Sequence, residues 1–371
     1  MIYQKRVLTT GAGRWMALLF LWCVVTLAGC AGNRVPIDTA YPTRPMSLPA
    51  DLAAHDGAET EWWYYTGHLE DAEGGRYGFE LTFFKRRIDN DKPWGIPVGW
   101  IDDTALMAHF SVTCEETAEF VQDGRTWFSN KNIYARTDRY EVAYKDWKAG
   151  GDMERHTLTA RTKDTAIDLS ATPVKPPVLH GTDGIVPKGE NRANYYMSFT
   201  RLALAGTLVF KGKEIPVTGT AWFDHEFGYM GTTAVSGWDW FSLQMEDATE
   251  YMLYALRLKD GTIDPVSHAF RIDPEGKSEN LPLSDLDITV LSRWKSPHNG
   301  AVYPSAWRIV ADPWGLDVIV IPTVADQEFR YHDIVYWEGS CGVYGEPANG
   351  RAYVELVGYC PWKAMADLLE E

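Results

Sequence analysis

The sequence predicts an all-β protein built as two tandem β-barrels with a short C-terminal helix. Between residues 60 and 360, apolar and polar residues alternate with a period of two in many short segments, such as "YGFELTFF", "RYEVAYKDW" and "RAYVELVGY". Turn sequences such as "EGGR", "DPEG" and "ANG" separate these segments. A helical pattern is confined to the last residues, "PWKAMADLLEE", which predict the short C-terminal helix.

An internal repeat predicts two barrels. Residues 62–71, "WWYYTGHLED", align without a gap with residues 238–247, "WDWFSLQMED". Both copies are followed by a turn and then by an alternating strand, so each is expected to open one barrel. Small residues in "GYMGTTAVSG" mark the boundary between them. We therefore expect an N-terminal barrel over residues 51–230 and a C-terminal barrel over residues 231–371.

The N-terminus predicts a targeting segment. Basic residues precede an apolar run over residues 15–27 that is too short to span a bilayer, and the run ends in "LAGC". This pattern resembles a bacterial lipoprotein signal, with residues 1–29 removed, Cys30 acylated as the lipid anchor and residues 30–50 as a linker. An ordinary secretory signal is the alternative. Ala31 follows the cysteine, and the resemblance to lipoprotein signals then implies the outer membrane, facing the periplasm, as the location in the cell envelope.

Composition narrows the classes of partner. The formal net charge of −16 argues against nucleic acid and against adhesion to anionic headgroups, so membrane contact is expected through the lipid anchor. The 16 tryptophans and 19 tyrosines could line a barrel interior that holds an apolar small molecule or lipid. The same residues could simply fill two cores.

The cysteines show no metal-binding spacing. Cys341 and Cys360 flank the hairpin sequence "EPANGR", so a disulfide across two strands is one expectation in an oxidising periplasm. Cys114 is expected to be a small buried hydrophobe.

The stretch "GTAWFDHEFG", residues 219–228, places two carboxylates and an imidazole among aromatics. In a strand, Trp222, Asp224 and Glu226 share one face, and Phe223, His225 and Phe227 share the other. His225 would then face the interior as a candidate for proton transfer. Asp224, Glu226 and Glu61 are alternatively expected to be structural, with Asp224 and Glu226 accepting backbone N–H groups where the strand ends, and His225 could instead belong to that network.

Two further residues are catalytic candidates. Asp239 lies between two tryptophans, and an apolar site of this kind can hold a carboxylic acid neutral. Tyr254 is a candidate for orienting a substrate or relaying a proton. With His225 they could protonate an alkene, while aromatic faces stabilise the cation.

Aromatic residues and one further histidine are the candidates for ligand binding. His109, in "MAHFSV", is expected to face the interior of the first barrel. No cofactor motif is present, and no metal site is expected because adjacent residues of "DHE" face opposite sides of a strand. The predicted ligand-binding residues are Trp63, Tyr65, His109, Tyr195, Tyr196, Trp222, Trp238 and Trp240.

Several long runs resemble a known family. "LPADLAAHDGAETEWWYYTGHL", "KPPVLHG", "NYYMSFTRL", "VTGTAWFDHEFG", "GWDWFSLQM" and "YVELVGY" are similar to the lipocalin-like family that contains bacterial AttH proteins and carotenoid 1,2-hydratase. The resemblance covers nearly all of residues 48–360. It implies two lipocalin-like barrels, an apolar ligand and, for the hydratase branch, addition of water to an isoprenoid double bond.

The sequence also departs from the hydratase pattern, in which a His-x-Trp stretch precedes a Tyr-x-Asp stretch. His225 and Tyr254 match, whereas Phe227 and Leu256 replace the tryptophan and the aspartate. Two hypotheses follow. One is a lipid-anchored carrier of a long apolar ligand, such as a lipid or isoprenoid, accessory to an ABC export system. The other is a proton-transfer enzyme, either a hydratase or an isomerase, or else a secreted hydrolase as the family resemblance allows.

Overall fold

The two copies of the repeat become the first strands of two antiparallel sheets. The structure is a computed structural model that describes residues 44–88, 104–188, 192–229 and 234–360. These residues form mainly strands, with short 3₁₀ turns at Ala50–Leu52, Leu283–Asp285 and Asp312–Trp314. The predicted signal, anchor residue and C-terminal helix lie outside the described residues.

The first sheet has thirteen strands within the described part of the chain. Their order is β4-β3-β2-β1-β13-β12-β9-β8-β7-β6-β5, and β10 and β11 also pair with β12. The strands are β1 (Thr60–Asp71), β2 (Arg76–Arg87), β3 (Thr104–Cys114), β4 (Glu119–Phe128), β5 (Ile133–Ala135), β6 (Glu141–Tyr144), β7 (Trp147–Gly151), β8 (His156–Arg161), β9 (Ala166–Pro173), β10 (Val178–Leu179), β11 (Ile185–Pro187), β12 (Ala193–Phe210) and β13 (Lys213–Gly228).

The second sheet has ten strands over residues 235–357, all of them described. Their order is β17-β16-β15-β14-β23-β22-β20-β19-β18, and β21 also pairs with β22. The strands are β14 (Val235–Met245), β15 (Glu250–Leu258), β16 (His268–Ile272), β17 (Ser278–Pro282), β18 (Asp287–Lys295), β19 (Val302–Ala311), β20 (Leu316–Pro322), β21 (Glu328–Tyr331), β22 (Ile334–Glu346) and β23 (Gly350–Val357).

The predicted repeat corresponds to strands with equivalent places in the two sheets. β1 pairs with the next strand, β2, and with the last strand of its sheet, β13. β14 likewise pairs with β15 and with the last strand, β23. The prediction of an all-β protein with two barrel-like sheets is therefore confirmed, whereas the domain limits at residues 230 and 231 stay a prediction.

The first sheet curls until β4, at one end, contacts the turn between β6 and β7 near the other end. On β4, the Arg125 guanidinium lies 4.0 Å from the centre of the Trp147 ring and 2.6 Å from the Asp146 carboxylate. Large side chains such as Trp63, Phe83 and Phe110 are buried inside the curl. Burial of this apolar surface stabilises the fold.

Both faces of β13 are buried. Phe223 and Phe227 pack in the interior of the first sheet, on the same face as His225. Trp222 packs on the opposite face with a second cluster that includes Trp240 of β14. The predicted alternation along this strand is confirmed, and the second face is covered by the other sheet rather than by water.

The two sheets approach each other closely at Gly78. A Cβ atom on Gly78 of β2 would lie 2.6 Å from the Cβ atom of Ser340 on β22. On the other side of the contact, the Gln244 amide of β14 donates to the Thr200 and Ala221 carbonyls, at 2.7 and 3.0 Å. Glycine thus permits a contact that the hydrogen bonds then fix.

The expected disulfide is absent from the described residues. Cys341 is buried on β22 opposite Ala352 of β23, and Cys360 lies beyond the end of β23, so all three described cysteines are free. Cys114 is buried, as predicted. No helical segment of the described chain has the length and apolar character that a membrane span requires.

Candidate functional site

A cleft of about 530 Å³ opens between the two sheets. One wall is formed by residues 181–183 and 185–187 around β11, together with Arg44 and Pro45. The other wall belongs to the second sheet and contains Tyr254, His268, Phe270 and Asn280. Tyr254 and Phe270 belong to the same buried cluster as Trp222 and Trp240. The cleft therefore adjoins the face of β13 that carries Trp222, Asp224 and Glu226.

Asp224 lies at the centre of a hydrogen-bonded group behind this cleft. Its Oδ2 atom accepts from the Tyr196 hydroxyl at 2.7 Å, and its Oδ1 atom accepts from the Trp222 indole at 2.6 Å and from the Ser198 hydroxyl. The Trp240 indole donates to the Tyr196 hydroxyl at 3.3 Å. Asp224 is only 3% exposed, and its donors are hydroxyl and indole groups rather than cations.

The pKa of Asp224 reflects this neutral environment. Burial raises the pKa to about 7, against the effect of the three hydrogen bonds, and the nearby Glu226 raises it further. A carboxyl group with such a pKa carries a proton in a substantial fraction of molecules near neutral pH. Glu226 accepts from the Asn194 amide and pairs with the Lys188 ammonium, both at 2.7 Å.

His180 extends the group toward the cleft. Its backbone N–H donates to the Tyr196 carbonyl, and its Nε2 atom lies 2.6 Å from the Ser198 hydroxyl. The imidazole packs edge-on against Phe270 of the cleft wall, with 4.7 Å between ring centres. Burial lowers the pKa of His180 to about 3, so the ring is neutral at neutral pH. Its Nδ1 atom has no hydrogen-bond partner among the described residues.

A second group of carboxyls lies between the sheets. Glu338 and Glu355 are directly opposite each other on β22 and β23. Glu80 of β2 accepts from the Tyr336 hydroxyl at 3.1 Å, Glu338 accepts from the Tyr64 hydroxyl, and Glu355 accepts from the Trp238 indole at 2.8 Å. Burial raises the pKa of Glu80 to about 7 and that of Glu355 to about 8.

Glu61 forms a different network inside the first sheet. Its carboxylate contacts the Nδ1 atom of His55 at 2.8 Å, the Nε2 atom of His225 at 3.0 Å and the Lys85 ammonium at 3.2 Å. Burial would raise the pKa of Glu61, but Lys85 and the two histidines outweigh it and hold this pKa well below its usual range. Burial lowers the pKa of His225, whose ring stacks on Trp63 with 5.0 Å between ring centres.

The Glu61 network is also the arrangement in the described chain most like a metal site. One ligand atom from each of His55, Glu61 and His225 lies within 4.8 Å of the others, and imidazole and carboxylate are common zinc ligands. Hydrogen bonds already join these atoms, and the Lys85 ammonium on the same carboxylate disfavours a cation. Of the "DHE" run, only His225 takes part.

The structure does not bring the three predicted catalytic residues together. His225 packs inside the first sheet, whereas Asp239 pairs with the Arg257 guanidinium at 3.0 Å and accepts from the Tyr359 hydroxyl at 2.9 Å. Burial raises the pKa of Asp239, as its apolar setting predicts. Tyr254 lines the cleft, with its hydroxyl bonded to the Val266 carbonyl at 2.8 Å.

The predicted ligand-binding residues divide between two places. Trp63, Tyr65 and Tyr195 pack with the first sheet's interior cluster. The others lie between the sheets or at the margin of that contact: Tyr196, Trp222, Trp238, Trp240 and His109.

The predicted orientation of His109 is wrong. Its Nδ1 atom lies 2.7 Å from the Tyr336 hydroxyl of β22, and its ring stacks on Phe329 of β21. Ala108 and Phe110 take the interior positions on β3, so His109 faces outward, where the second sheet covers it. The expectation for Asp224 and Glu226 also needs correction, because side chains rather than backbone N–H groups are their donors.

Sequence reasoning missed His55, His180 and Ser198 as site residues. All three stand in runs that carry the family resemblance, "LPADLAAHDG", "KPPVLHG" and "NYYMSFTRL". Ser198 is directly opposite Asp224 in the pairing of β12 with β13, and β10 brings His180 beside Ser198. The signal that could have identified them was a polar residue among apolar neighbours in such a run.

The chain is similar in fold to solved structures of other proteins. A candidate AttH from Nitrosomonas europaea superimposes with a TM-score of 0.77 and 28% identity, covering 88% of this chain and 99% of that one. Kievitone hydratase from Nectria haematococca superimposes with a TM-score of 0.67 and 15% identity, covering 87% and 97% of the two chains, and shows similarity of fold. No curated protein sequence matches the chain.

The family model described as AttH-like matches residues 39–359. This range contains both sheets, the cleft and every residue of the Asp224 and Glu61 networks. The chain therefore belongs to the AttH-like family.

Proposed function

We propose that this protein is a proton-transfer enzyme, a hydratase or isomerase, that acts on an apolar unsaturated molecule in the cleft between the sheets. The observation that carries this proposal is Asp224, a buried carboxyl group with neutral donors and a pKa of about 7. A general acid works best when its pKa lies near the working pH. The hydratase fold neighbour from Nectria haematococca supports the same reaction class.

The surroundings of Asp224 suit protonation of an alkene. Transfer of the acid's proton to carbon leaves a carbocation, and the faces of Tyr254 and Phe270, which line the cleft, can stabilise positive charge. Addition of water to the cation and return of one proton to the carboxylate complete a hydration. Loss of a proton from a neighbouring carbon instead completes an isomerisation. Both outcomes regenerate the acid.

Deuterium uptake from D₂O tests this function. The extracted protein is incubated with squalene as a probe isoprenoid alkene, and mass spectrometry measures deuterium bound to carbon. We expect Asp224→Asn to lower the rate by about 100-fold or more, since general acids contribute roughly that much. Asp168→Asn, at an exposed position of β9, is the matched control and should retain the rate.

The same assay separates Asp224 from the acid that the sequence predicted. Asp239→Asn removes a carboxylate that pairs with Arg257 in the second sheet, and we expect it to leave deuterium uptake nearly unchanged. Loss of uptake in Asp239→Asn with full uptake in Asp224→Asn would place the acid in the second sheet and refute this assignment.

A carrier of apolar ligands is the second candidate function. A cleft of about 530 Å³ with Tyr254 and Phe270 on one wall favours it, and an ABC export system is then a proposed partner. Native mass spectrometry of gently extracted protein should show a bound lipid or isoprenoid in either case. A carrier returns the probe without deuterium, and Asp224→Asn leaves its ligand bound at the same level.

We also propose that Cys30 anchors the protein to the outer membrane, facing the periplasm. The "LAGC" sequence supports the anchor, and Ala31 after the cysteine supports the outer membrane. Replacement Cys30→Ser should move the protein from the membrane fraction to the soluble periplasmic fraction, whereas Cys114→Ser should leave it in the membrane fraction. Retention of Cys30→Ser in the membrane would argue against the anchor.

A further inference from the structure

We infer that Ser198 and His180 form a proton relay that carries the carboxyl proton of Asp224 to the Nδ1 atom of His180, beside the cleft. The inference deepens the proposed function and rests on it for its role in turnover. His180 would be the residue that releases the proton toward the substrate, and Ser198 would be a positioning residue.

The geometry joins the three residues in one line of hydrogen bonds. The Asp224 carboxylate accepts from the Ser198 hydroxyl, and that hydroxyl oxygen lies 2.6 Å from the Nε2 atom of His180. At the far end, the Nδ1 atom of His180 is buried and has no hydrogen-bond partner in the described chain. A buried imidazole nitrogen without a partner is costly unless a ligand satisfies it.

The end of the line adjoins the cleft. Gly181, the next residue, lines the cleft, and so does Phe270, which packs against the imidazole. Asp224 itself does not line the cleft, and the rings of Tyr196 and His180 pack beside each other with 4.5 Å between their centres. A relay therefore explains how a buried carboxyl group can serve a substrate that it does not touch.

The proton transfers balance. With Asp224 protonated, its O–H donates to Ser198, the Ser198 O–H donates to Nε2 of His180, and the proton of the imidazole is on Nδ1. When Nδ1–H protonates the substrate, the serine proton moves to Nε2 and the carboxyl proton moves to the serine. Asp224 ends as a carboxylate that accepts from Ser198, and His180 ends neutral with its proton on Nε2. One proton leaves the line.

Other charged groups near the relay influence which of its residues holds the extra proton. Glu226, on the same face of β13, and Glu355 of β23 both interact unfavourably with a charged Asp224. Lys188 disfavours a protonated His180 and lies 5.9 Å from the Tyr196 ring. These charges favour the form in which Asp224, rather than His180, holds the extra proton.

Nitrogen NMR of the whole protein labelled with [¹⁵N]histidine tests the relay without a substrate. We expect His180 to carry its proton on Nδ1 at about pH 5.5 and on Nε2 at about pH 8.5, with a midpoint near the Asp224 pKa of about 7. Ser198→Ala should hold one tautomer throughout this range. Ser198→Thr, which keeps the hydroxyl, should restore the change.

His156 is an internal control in the same spectra. Its Nδ1 atom also contacts a hydroxyl, that of Tyr65, at 2.8 Å, and its Nε2 atom has no partner among the described residues. That line continues to the Tyr140 hydroxyl instead of a carboxyl group, so the His156 tautomer should not change. A constant His180 tautomer in the unaltered protein, or a change that persists in Ser198→Ala, would overturn the relay.

The two proposals can fail separately. A tautomer change without deuterium uptake by the alkene would leave the relay standing and remove the proposed enzyme function. Deuterium uptake with a constant His180 tautomer would support the enzyme and refute the relay, since Asp224 would then reach the substrate by another path.

Discussion

Buried carboxyl groups behave in opposite ways at two positions of this chain. Glu61 contacts the Lys85 ammonium and two imidazoles, and these groups hold it as an anion. Asp224 contacts two hydroxyls and an indole, and burial then favours its neutral form. The chemistry of the donors therefore decides which carboxyl group stabilises the fold and which can release a proton.

Replacement of Glu61 by glutamine should destabilise the protein by about 3–5 kcal/mol, because it leaves the Lys85 ammonium buried without its anion. The free energy of unfolding in urea measures this loss. Glu70→Gln, at an exposed position of the same strand, is the control and should change stability by less than about 0.5 kcal/mol. Equal stability of the two variants would contradict a structural role for Glu61.

At the scale of single residues, the sequence predicted which face of a strand a side chain occupies better than it predicted which residues that side chain contacts. The period of two placed Asp224 and His225 on opposite faces of a strand, which the structure bears out. His180 was not recognised because its partner Ser198 is 18 residues away and is reached only through the pairing of β10 with β12. The direction of His109 was wrong because nothing in its own strand tells that a second sheet covers its outer face.

At the scale of the element, the contact between β2 and β22 shows how the two sheets pack against each other. Gly78 faces Ser340 so closely that no side chain fits between the strands. The repeat and the turn sequences predicted the strands themselves, because strand periodicity is local. The packing of one sheet on the other could not be predicted, since it depends on surfaces that are assembled from many strands.

Replacement Gly78→Ala should destabilise the protein by about 1–3 kcal/mol, because the added Cβ atom would lie 2.6 Å from that of Ser340. Ser340→Gly removes the opposing atom, so the double variant should recover part of the loss. Urea unfolding of the two single variants and the double variant gives the coupling energy. Strict additivity of the two changes would show that the sheets do not meet at this point.

At the scale of the whole molecule, the contact between the sheets contains carboxyl groups that prefer to be protonated. Burial raises the pKa of Glu80 to about 7 and that of Glu355 to about 8, from an ordinary value of 4.5. The folded state therefore holds protons that the unfolded state has already lost between these values. Stability contributed by these groups is present at low pH, is lost as the pH rises from about 4.5 to about 7 for Glu80 and to about 8 for Glu355, and then levels off.

Comparison with Glu80→Gln isolates this effect. Glutamine resembles the protonated side chain and does not titrate. The free energy of unfolding of the variant, relative to that of the original protein, should therefore rise by about 1.4 kcal/mol per pH unit between about pH 5 and 7. Above about pH 7.5 the difference should level off. Urea unfolding at several pH values measures it, and a difference that is independent of pH would show that Glu80 is not buried in its neutral form.

Because both faces of β13 are buried, the strand limits how the substrate selectivity of this protein can be changed. Asp224 and His225 are joined by one peptide bond yet serve separate interiors, so any shift of that backbone disturbs both at once. Variation that alters selectivity without such damage should fall on the far side of the cleft, at positions such as His268 and Asn280. A mutant library aimed at new substrates would do best to begin there and to leave the central strand untouched.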